Sequence, residues 1–312
     1  MRKDLLDIRT LPIEELRQIL ETAKPFKDLF TRSVKKVPTL RGKSVLTLFY
    51  EPSTRTKTSF EIAAKRLSAD VTDFQVSRSS VVKGESVLDT VDTLQAMKTD
   101  YIIVRHPMPG VPSLIAKHTP AAVINAGDGV HAHPTQALLD VFTMEEALGD
   151  LKGKKILIAG DLLHSRVARS TSTALEKMGA KVALLGPRSF LSPYRRPTLP
   201  SFFDWNDAWN WQPDVVYLLR VQSERQGVQF FPSLGEYHAK YGLTDARLDR
   251  LRKEGLWLMH PGPVNRGVEI TDAAMNYERS LINQQVENGI AVRMAVLYSL
   301  QPAHERADDP AS

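Results

Sequence analysis

The sequence predicts an α/β protein built from two doubly wound parallel-sheet domains linked by helices, and three observations support this fold class. Strand-like and helical stretches alternate along the chain, which is the pattern of βαβ units. Strand candidates such as 101–104 and 155–159 are apolar on both faces, as expected of parallel strands covered by helices on each side. The length of 312 residues exceeds one ordinary core, so two domains are expected.

The individual elements follow from the hydrophobic pattern. Strands are predicted at 44–50, 71–76, 101–105, 121–126, 155–160, 181–186, 214–219 and 256–260. Helices are predicted at 12–23, 56–67, 86–98, 112–118, 134–148, 166–178, 245–254 and 276–299. Residues 187–210 are rich in Pro, Ser and Trp and are expected to be irregular. Residues 222–244 are expected to form a long loop, and loops of that length in a compact domain often act as lids or binding segments.

The division between the two domains is expected on the helix 134–148. The first domain then covers residues 1–135, and the second covers 150–285 after a Gly-Asp-Leu-Lys-Gly turn. The polar residues 301–312 are expected to form a disordered tail.

Composition and charge exclude several classes of protein. The chain is 42% hydrophobic and 25% charged, which is typical of soluble globular proteins. No apolar run approaches the roughly 18 residues that span a bilayer, and no apolar signal core follows Met1, so a cytoplasmic location without membrane partners is expected. The absence of cysteine excludes disulfides, thiolate metal sites and a cysteine nucleophile. The net charge of +5 is not gathered into a dense basic block, so no nucleic-acid partner is expected.

The motif Ser53-Thr54-Arg55-Thr56 is the first candidate site. It follows the predicted strand 44–50 and opens a predicted helix. The first amides of a helix lack partners within it and favour negative charge, and a guanidinium matches phosphate oxygens. The motif therefore predicts a phosphate site without a glycine-rich loop. Simple capping of the helix by Ser53 or Thr54 is the alternative.

Two further candidates follow strands of the first domain. Arg105 ends a buried-type strand, at the carboxyl edge where open α/β sheets bind ligands, and a surface ion pair is the alternative. His133 and Gln136 are one helical turn apart, so both side chains can face one point, although His133 alone would also suit a helix cap. His131 and His133 could suggest a metal, but no acidic or cysteine partner has matching spacing, so no metal site is predicted.

Two arginines occupy equivalent positions in the second domain. Arg166 opens a predicted helix after the strand 155–160, and Arg220 follows the strand 214–219, with Gln222 two residues later. Two fork-shaped donors suit the two carboxylates of a dicarboxylate ligand. An ordinary ion pair is the alternative for each arginine alone.

Two loops carry weaker signals. Gly262 and Pro263 belong to His-Pro-Gly-Pro after the last predicted strand, where prolines stiffen a turn and leave backbone carbonyls without local partners. Such carbonyls can accept hydrogen bonds from an amino or amide NH₂ group. Lys83 lies in a polar, flexible segment before a helix, and composition alone favours a solvated loop.

The order and spacing of these motifs resemble the transcarbamoylase family, most closely its aspartate branch, over about residues 4–300. The matching segments are Ser53-Thr-Arg-Thr56, Arg105-His-Pro107, His133-Pro-Thr-Gln136, Arg166, Arg220-Val-Gln222 and His260-Pro-Gly-Pro263. The resemblance implies transfer of the carbamoyl group of carbamoyl phosphate to L-aspartate, an early step of pyrimidine synthesis, without metal or cofactor. It also implies that domain closure brings the two substrates together.

The resemblance assigns a role to each candidate. The expected catalytic residues are Arg55, Thr56, Arg105, His133 and Gln136. Carbamoyl phosphate would be bound by these together with Ser53, Thr54, Gly262 and Pro263. Aspartate would be bound by Lys83, Arg166, Arg220 and Gln222. Many family members carry Leu at the position of Gly262, which main-chain recognition tolerates.

The resemblance further implies a homotrimer with shared active sites. Ser79 and Lys83 would reach the site of the neighbouring subunit, with Ser80 as the alternative to Ser79. The helix at about 286–300 would complete the first domain. Association with regulatory chains or a dihydroorotase is left open by the sequence.

Two alternatives to this function remain at this point. A transcarbamoylase for ornithine would want acidic groups where Arg166 and Arg220 stand, and the ornithine branch carries a cysteine that this chain lacks. A non-catalytic relative that binds a phosphorylated metabolite would retain the phosphate site without turnover.

Overall fold

The computed structural model describes residues 2–75, 86–194, 198–222, 233–300 and 302. Two compact units make up the chain: unit 1 is Met1–Leu139 with Glu287–Ser312, and unit 2 is Asp140–Val286. Each unit contains one parallel β-sheet, which confirms the predicted α/β fold class. Within the described ranges, no helix has the length and apolar character needed to cross a membrane.

The described strands and helices are numbered in chain order. The strands are β1 (Ser44–Phe49), β2 (Asp70–Gln75), β3 (Tyr101–His106), β4 (Ala122–Asp128), β5 (Lys155–Ala159), β6 (Lys181–Leu185), β7 (Ser201–Phe202), β8 (Val215–Leu218) and β9 (Trp257–Met259). The helices are α1 (Ile13–Asp28), α2 (Thr54–Arg66), α3 (Val87–Ala96), α4 (Val111–His118), α5 (Pro134–Leu148), α6 (Arg166–Lys177), α7 (Arg188–Tyr194), α8 (Trp205–Asn210), α9 (Leu234–Tyr241), α10 (Asp245–Glu254), α11 (Asp272–Met275) and α12 (Ile282–Ser299). A 3₁₀ turn, Leu29–Thr31, follows α1.

The sheet of unit 1 has the strand order β2-β1-β3-β4, and its pairings are parallel. Leu48, Ile102 and Val123 from three neighbouring strands are fully buried in one apolar cluster. Consecutive residues of β3, from Tyr101 to Val104, are buried, so both faces of this strand are shielded from solvent, as is usual in a parallel sheet. The last helix contributes to this unit, since Tyr101 Oη donates to the carbonyl of Leu300 at 3.1 Å.

The sheet of unit 2 has the order β7-β6-β5-β8-β9, again with parallel pairings. Leu157, Val216 and Leu258 are fully buried in its core. Trp205 and Trp209 of α8 pack into the same cluster, with their rings stacked at 4.8 Å between centroids.

Each sheet reverses its strand order once near its middle. In unit 1 the chain goes from β1 outward to β2 and then returns to β3 on the other side of β1. In unit 2 it goes from β5 outward through β6 and β7, then returns to β8. Ligands of open α/β sheets bind beyond the carboxyl ends of the strands at such reversals, which are β1/β3 and β5/β8 here.

The prediction that 187–210 is irregular was wrong. These residues include α7, β7 and α8. Asp204 caps α8 by accepting from the amides of Asn206 and Asp207 at 2.9 and 3.0 Å. Tertiary burial of the two α8 tryptophans stabilises a helix whose composition resembles a loop.

The prediction of one long loop over 222–244 was also wrong in part. Helix α9 begins after Ser233, whose hydroxyl accepts from the amide of Glu236 at 3.1 Å. Residues 223–232 lie outside the described residues, as does the predicted tail apart from Pro302.

Two helix boundaries also differ from the prediction. Helix α1 continues past Pro25 to Asp28, and α12 begins at Ile282 rather than at 276. Between α11 and α12, Tyr277 turns into the core of unit 2, where its hydroxyl donates to the carbonyl of Leu256 at 2.8 Å.

Candidate active site

In unit 1, three predicted segments follow the carboxyl ends of adjacent strands. Ser53 comes four residues after β1, Arg105 lies at the end of β3, and His133 comes five residues after β4. Phe49 is paired with Arg105 in the register of the sheet. The amide of Tyr50 donates to the carbonyl of Arg105 at 2.9 Å. The fold thus brings these segments to one edge, with the first two flanking the strand-order reversal.

The amino end of α2 keeps donors available for an anion. Ser53 occupies the N-cap position, but its side chain accepts no hydrogen bond from the helix. Thr54 and Arg55 are exposed, while Thr56 is buried. An uncapped helix start beside a guanidinium suits a phosphate group. The alternative reading, in which Ser53 caps α2, has no support in this geometry.

Glu51 is a neighbour of Arg105 that the sequence reasoning missed. The Arg105 Nε atom donates to Glu51 Oε2 at 3.2 Å, and both side chains are largely shielded from solvent. A phosphate that binds Arg105 must therefore compete with a carboxylate. Glu51 lies between the strand β1 and the Ser53 motif in the sequence, far from Arg105. The contact is therefore visible only in the folded structure.

His106, next to Arg105, is held as a neutral ring. It is buried, and its Nδ1 atom accepts from the amide of Met108 at 3.0 Å. Burial lowers the pKa of His106 below its usual value because the charged ring is poorly solvated. Its ring contacts that of Tyr50 edge-to-face at 4.6 Å between centroids.

A buried carboxylate organises the turn before His133. Asp128 accepts from the amides of Gly110 and Ala132 at 2.7 and 3.0 Å and from Asn125 Nδ2 at 2.9 Å. The ring of His131 lies 2.9 Å from the same carboxylate. These bonds fix the chain that leads from β4 into α5.

His133 and Gln136 lie where the sequence placed them. His133 immediately precedes α5, and its carbonyl accepts from the amide of Gln136 at 3.1 Å. Both side chains are buried, with exposed fractions of 4% and 8%. Buried polar groups at a helix start can act as oriented donors to a ligand.

In unit 2, Gly160 permits the close approach of two strand ends. It follows β5 with φ at +131°, and a Cβ atom there would lie 2.9 Å from the carbonyl oxygen of Leu219. Only glycine fits such a position without strain. The segment of Arg220 can therefore lie directly beside the start of the Arg166 segment.

Asp161 ties these two segments together. Its Oδ1 atom accepts from the amide of His164 at 3.2 Å, and its Oδ2 atom accepts from the amide of Gln222 at 3.1 Å. Ser165 caps α6 by accepting from the amide of Ala168 at 3.1 Å. Arg166 is the first residue of α6, as predicted, and is buried.

Glu269 supports the Arg220 segment from the other side. It accepts from the amide of Val221 at 2.7 Å, from the amide of Asn265 at 2.7 Å and from Asn265 Nδ2 at 2.8 Å. Burial raises the pKa of Glu269, and these donors offset only part of the effect. Neither Asp161 nor Glu269 was identified from the sequence, because each acts through backbone contacts distant along the chain.

The turn after β9 contains Gly262 and Pro263, the residues whose backbone carbonyls were predicted to bind the ligand. Gly262 adopts φ of +63°, which suits glycine, and its amide donates to His260 Nδ1 at 2.9 Å. Gly262 is half-buried and Pro263 is exposed. This turn follows β9, the neighbour of β8, so it belongs to the same edge of the sheet as Arg220.

Three residues that were considered for the site cannot be placed. Ser79, Ser80 and Lys83 lie outside the described residues. Within the ranges that are described, no cluster of three or more histidine or acidic side chains could hold a metal ion.

Comparison with known proteins identifies the family in two parts. The family described as aspartate/ornithine carbamoyltransferase, carbamoyl-P binding domain, matches residues 3–146. The corresponding Asp/Orn binding domain matches residues 152–300. The aspartate carbamoyltransferase catalytic subunit of Akkermansia muciniphila is 64% identical over 301 residues, which cover 96% of this chain and 97% of the relative.

Solved structures agree. Aspartate transcarbamoylase from Trypanosoma cruzi in complex with carbamoyl phosphate and aspartate matches with a TM-score of 0.83 and 28% identity, over 96% of this chain and 97% of that one. The catalytic subunit of M. jannaschii aspartate transcarbamoylase matches with a TM-score of 0.81 and 31% identity, over 98% and 99% of the two chains. From its sequence matches and its two parallel-sheet units, this chain belongs to the aspartate/ornithine carbamoyltransferase family.

Proposed function

We propose that this chain is the catalytic subunit of an aspartate carbamoyltransferase. It transfers the carbamoyl group of carbamoyl phosphate to the amine of L-aspartate and releases N-carbamoyl-L-aspartate and phosphate. Residues 1–135 with the helix at about 286–300 bind carbamoyl phosphate, and residues 150–285 bind aspartate. The family match and the relatives named for this reaction support the proposal.

The phosphate is bound at the amino end of α2. Ser53, Thr54, Arg55 and Thr56 supply hydroxyls, amides and a guanidinium, and Arg105 adds a second guanidinium. This positive surface stabilises the phosphate as it leaves. The uncapped start of α2 supports this role.

The carbonyl oxygen of the carbamoyl group gains negative charge during attack. Thr56 and His133 donate to this oxygen, and Gln136 and the carbonyls of Gly262 and Pro263 receive the carbamoyl NH₂ group. Fixed donors and acceptors can supply most of the catalysis, so the proposed reaction requires no metal or cofactor. The neutral amine of aspartate attacks, and the departing phosphate takes its proton.

The choice of aspartate over ornithine rests on one observation: Arg166 and Arg220 follow β5 and β8, the two strands that flank the reversal in unit 2. The nearby acids are already engaged by backbone amides, Asp161 by Gln222 and Glu269 by Val221. The candidate site therefore offers guanidinium groups to carboxylates and little to a cationic side chain. The proposed aspartate site also includes Gln222 and, from a neighbouring subunit, Lys83.

The assembly and location are part of the same proposal. The active protein is a cytoplasmic homotrimer in which Ser79 and Lys83 of one subunit serve the site of the next. Its product enters pyrimidine synthesis.

The test is product formation from carbamoyl phosphate with L-aspartate and, separately, with L-ornithine. We expect carbamoyl-aspartate and no citrulline. Arg166→Lys keeps the charge but removes the fork, so the KM for aspartate should rise roughly 10- to 150-fold, the equivalent of one charge-assisted hydrogen bond.

A matched control is Arg252→Ala on the exposed surface of α10, where Arg252 pairs with Asp249. It should leave the aspartate KM unchanged. Citrulline formation by the parent protein, or equal effects of the two substitutions, would overturn the assignment of the acceptor. Near-normal turnover in Arg55→Ala would overturn the phosphate site.

A further inference from the structure

A buried chain of hydrogen bonds leads from the helix α5 to the turn after β9. Asp140 is fully buried, and its Oδ2 atom accepts from Tyr217 Oη at 2.7 Å and from Thr171 Oγ1 at 2.9 Å. Its Oδ1 atom accepts from Gln285 Nε2 at 2.8 Å. One carboxylate thus receives three neutral donors from three elements of unit 2.

Gln285 extends the chain towards the turn. Its Oε1 atom accepts from the backbone amide of His260 at 3.1 Å. The orientation of the Gln285 amide is fixed by chemistry, since the carboxylate of Asp140 requires a donor and the amide of His260 requires an acceptor. Gln285 is buried, with 3% of its surface exposed.

His260 connects this hydrogen-bond network to Gly262. His260 Nδ1 accepts from the amide of Gly262 at 2.9 Å, which places the ring proton on Nε2 in the neutral ring. The His260 side chain is fully buried. The position of the Gly262–Pro263 segment is thereby set through Asp140, Gln285 and His260 in sequence.

We propose that Gln285 is a positioning residue for recognition of the carbamoyl amide. By holding the His260 backbone against Asp140, it orients the Gly262 and Pro263 carbonyls towards the carbamoyl NH₂ group. The inference rests on the proposed function, which assigns these carbonyls to that group. It adds a residue that contacts no substrate and whose loss should affect amide recognition selectively.

The proposal can be tested by comparing a ligand that carries an amide with one that does not. Phosphonoacetamide carries a phosphonate and a primary amide, whereas inorganic phosphate carries no amide. Both dissociation constants are measured by calorimetry on the full-length protein, without turnover. In Gln285→Leu, binding of phosphonoacetamide should weaken about fivefold to tenfold, while binding of phosphate changes less than about twofold.

A second variant tests the mechanism through pH. Gln285→Glu keeps an acceptor for the His260 amide but faces Asp140, so the two carboxylates must share a proton. Its affinity for phosphonoacetamide should recover, relative to the parent protein, as pH is lowered. This variant also serves if Gln285→Leu does not fold. A merely structural role for Gln285 would not produce recovery that is specific to the amide ligand.

Gln284→Leu is the matched control. Gln284 is the neighbouring residue on α12, and its side chain donates to Glu146 Oε2 on the surface at 2.9 Å. It should bind both ligands as the parent protein does. Equal weakening of both ligands in Gln285→Leu, or unchanged binding of both, would overturn the inference.

The proposed function and the positioning role can fail independently of each other. The function is refuted if the parent protein forms no carbamoyl-aspartate. Loss of amide selectivity in Gln285→Leu would then still support the positioning role. Turnover by the parent protein with intact selectivity in Gln285→Leu would refute the positioning role and leave the function standing.

Discussion

Arg105 and Glu51 form an ion pair at the place where the proposed site receives phosphate. Glu51→Gln removes the competing charge and keeps a hydrogen-bond acceptor of the same shape. Partly buried pairs of this kind contribute about 1 kcal/mol, so the affinity for inorganic phosphate should rise about threefold to fivefold. Calorimetric titration with phosphate measures the change.

Glu61→Gln provides the comparison, because Glu61 lies on α2 away from its amino end. Its phosphate affinity should stay at the parent value. Weaker phosphate binding in Glu51→Gln would mean that the carboxylate mainly orients Arg105 rather than competing for it.

We expect His106 to make the stability of the fold depend on pH in mild acid, because burial lowers its pKa. Its pKa in the folded protein lies below the ordinary 6.5, so between these two values the unfolded chain binds more protons. The stability that His106 contributes is fully present above pH 6.5 and is lost as pH falls through the lowered pKa. His106→Asn retains an acceptor near the Nδ1 position and cannot be protonated.

We therefore expect the free energy of unfolding of His106→Asn to fall less between about pH 7 and pH 5 than that of the parent protein. Urea unfolding at several pH values measures the difference. His118→Asn, at the exposed end of α4, is the control. Parallel curves for His106→Asn and the parent protein would refute the buried, neutral ring.

The arginines of the proposed site could be recognised as candidates from the sequence because each belongs to a short local pattern. Arg105 lies at the end of a strand, and Arg55 and Arg166 lie in the first turn of a helix that follows a strand. Glu51, Asp161 and Glu269 could not be predicted in the same way, since each contacts backbone or side chains that only folding brings near. Whether a carboxylate already accepts hydrogen bonds from the protein depends on the tertiary structure. It affects how much negative charge the site presents to a ligand.

The helices α2 and α6 both begin after a serine, but only one of these serines caps its helix. Ser165 caps α6 through its hydroxyl, whereas Ser53 makes no such bond to α2. Ser165→Ala should therefore cost about 1 kcal/mol of unfolding free energy, and Ser53→Ala less than about 0.5 kcal/mol. Ser53→Ala should instead weaken phosphate binding about threefold to tenfold.

Denaturant unfolding and phosphate titration of both variants separate the two roles. The two serines control for each other, because the substitution is identical and the position in the helix is the same. Equal destabilisation by both substitutions would show that Ser53 caps its helix in solution.

Two of the helices that were not predicted, α8 and α9, have recognisable starts in the sequence. Ser233 and Glu236 have the spacing of a capping box before α9. Asp204 precedes Trp205, Ala208 and Trp209, which is the apolar spacing of one helix face. Composition rich in Trp and Ser concealed α8, and the glycines near Ser233 concealed α9. Tertiary packing then outweighed these weak propensities.

At the scale of the whole chain, the two sheets could be predicted because their central strands are apolar on both faces. That pattern fixes strand positions to within a few residues, as in β3 and β5. It does not fix the strand order, which depends on the crossover connections. A doubly wound sheet contains a reversal, but its place at β1/β3 in unit 1 and at β5/β8 in unit 2 emerged only from the structure. Within each unit, the reversal places the charged segments side by side.

Unit 2 is continuous in sequence, and its first residue and its penultimate residue are joined by the bond from Gln285 to Asp140. Domains whose two ends lie close together are often tolerated as insertions in other chains, which favours independent folding. We expect a fragment of residues 140–286 to fold alone, with one cooperative thermal transition and a far-ultraviolet circular dichroism spectrum of mixed α/β type. A fragment without a cooperative transition would show that it depends on the remainder.

Unit 2 thus interrupts unit 1 along the sequence. Its two junctions, Leu139–Asp140 and Val286–Glu287, both lie within helices. A graft across these junctions therefore needs helical sequence on both sides of each cut, in matching helical phase, rather than a flexible linker.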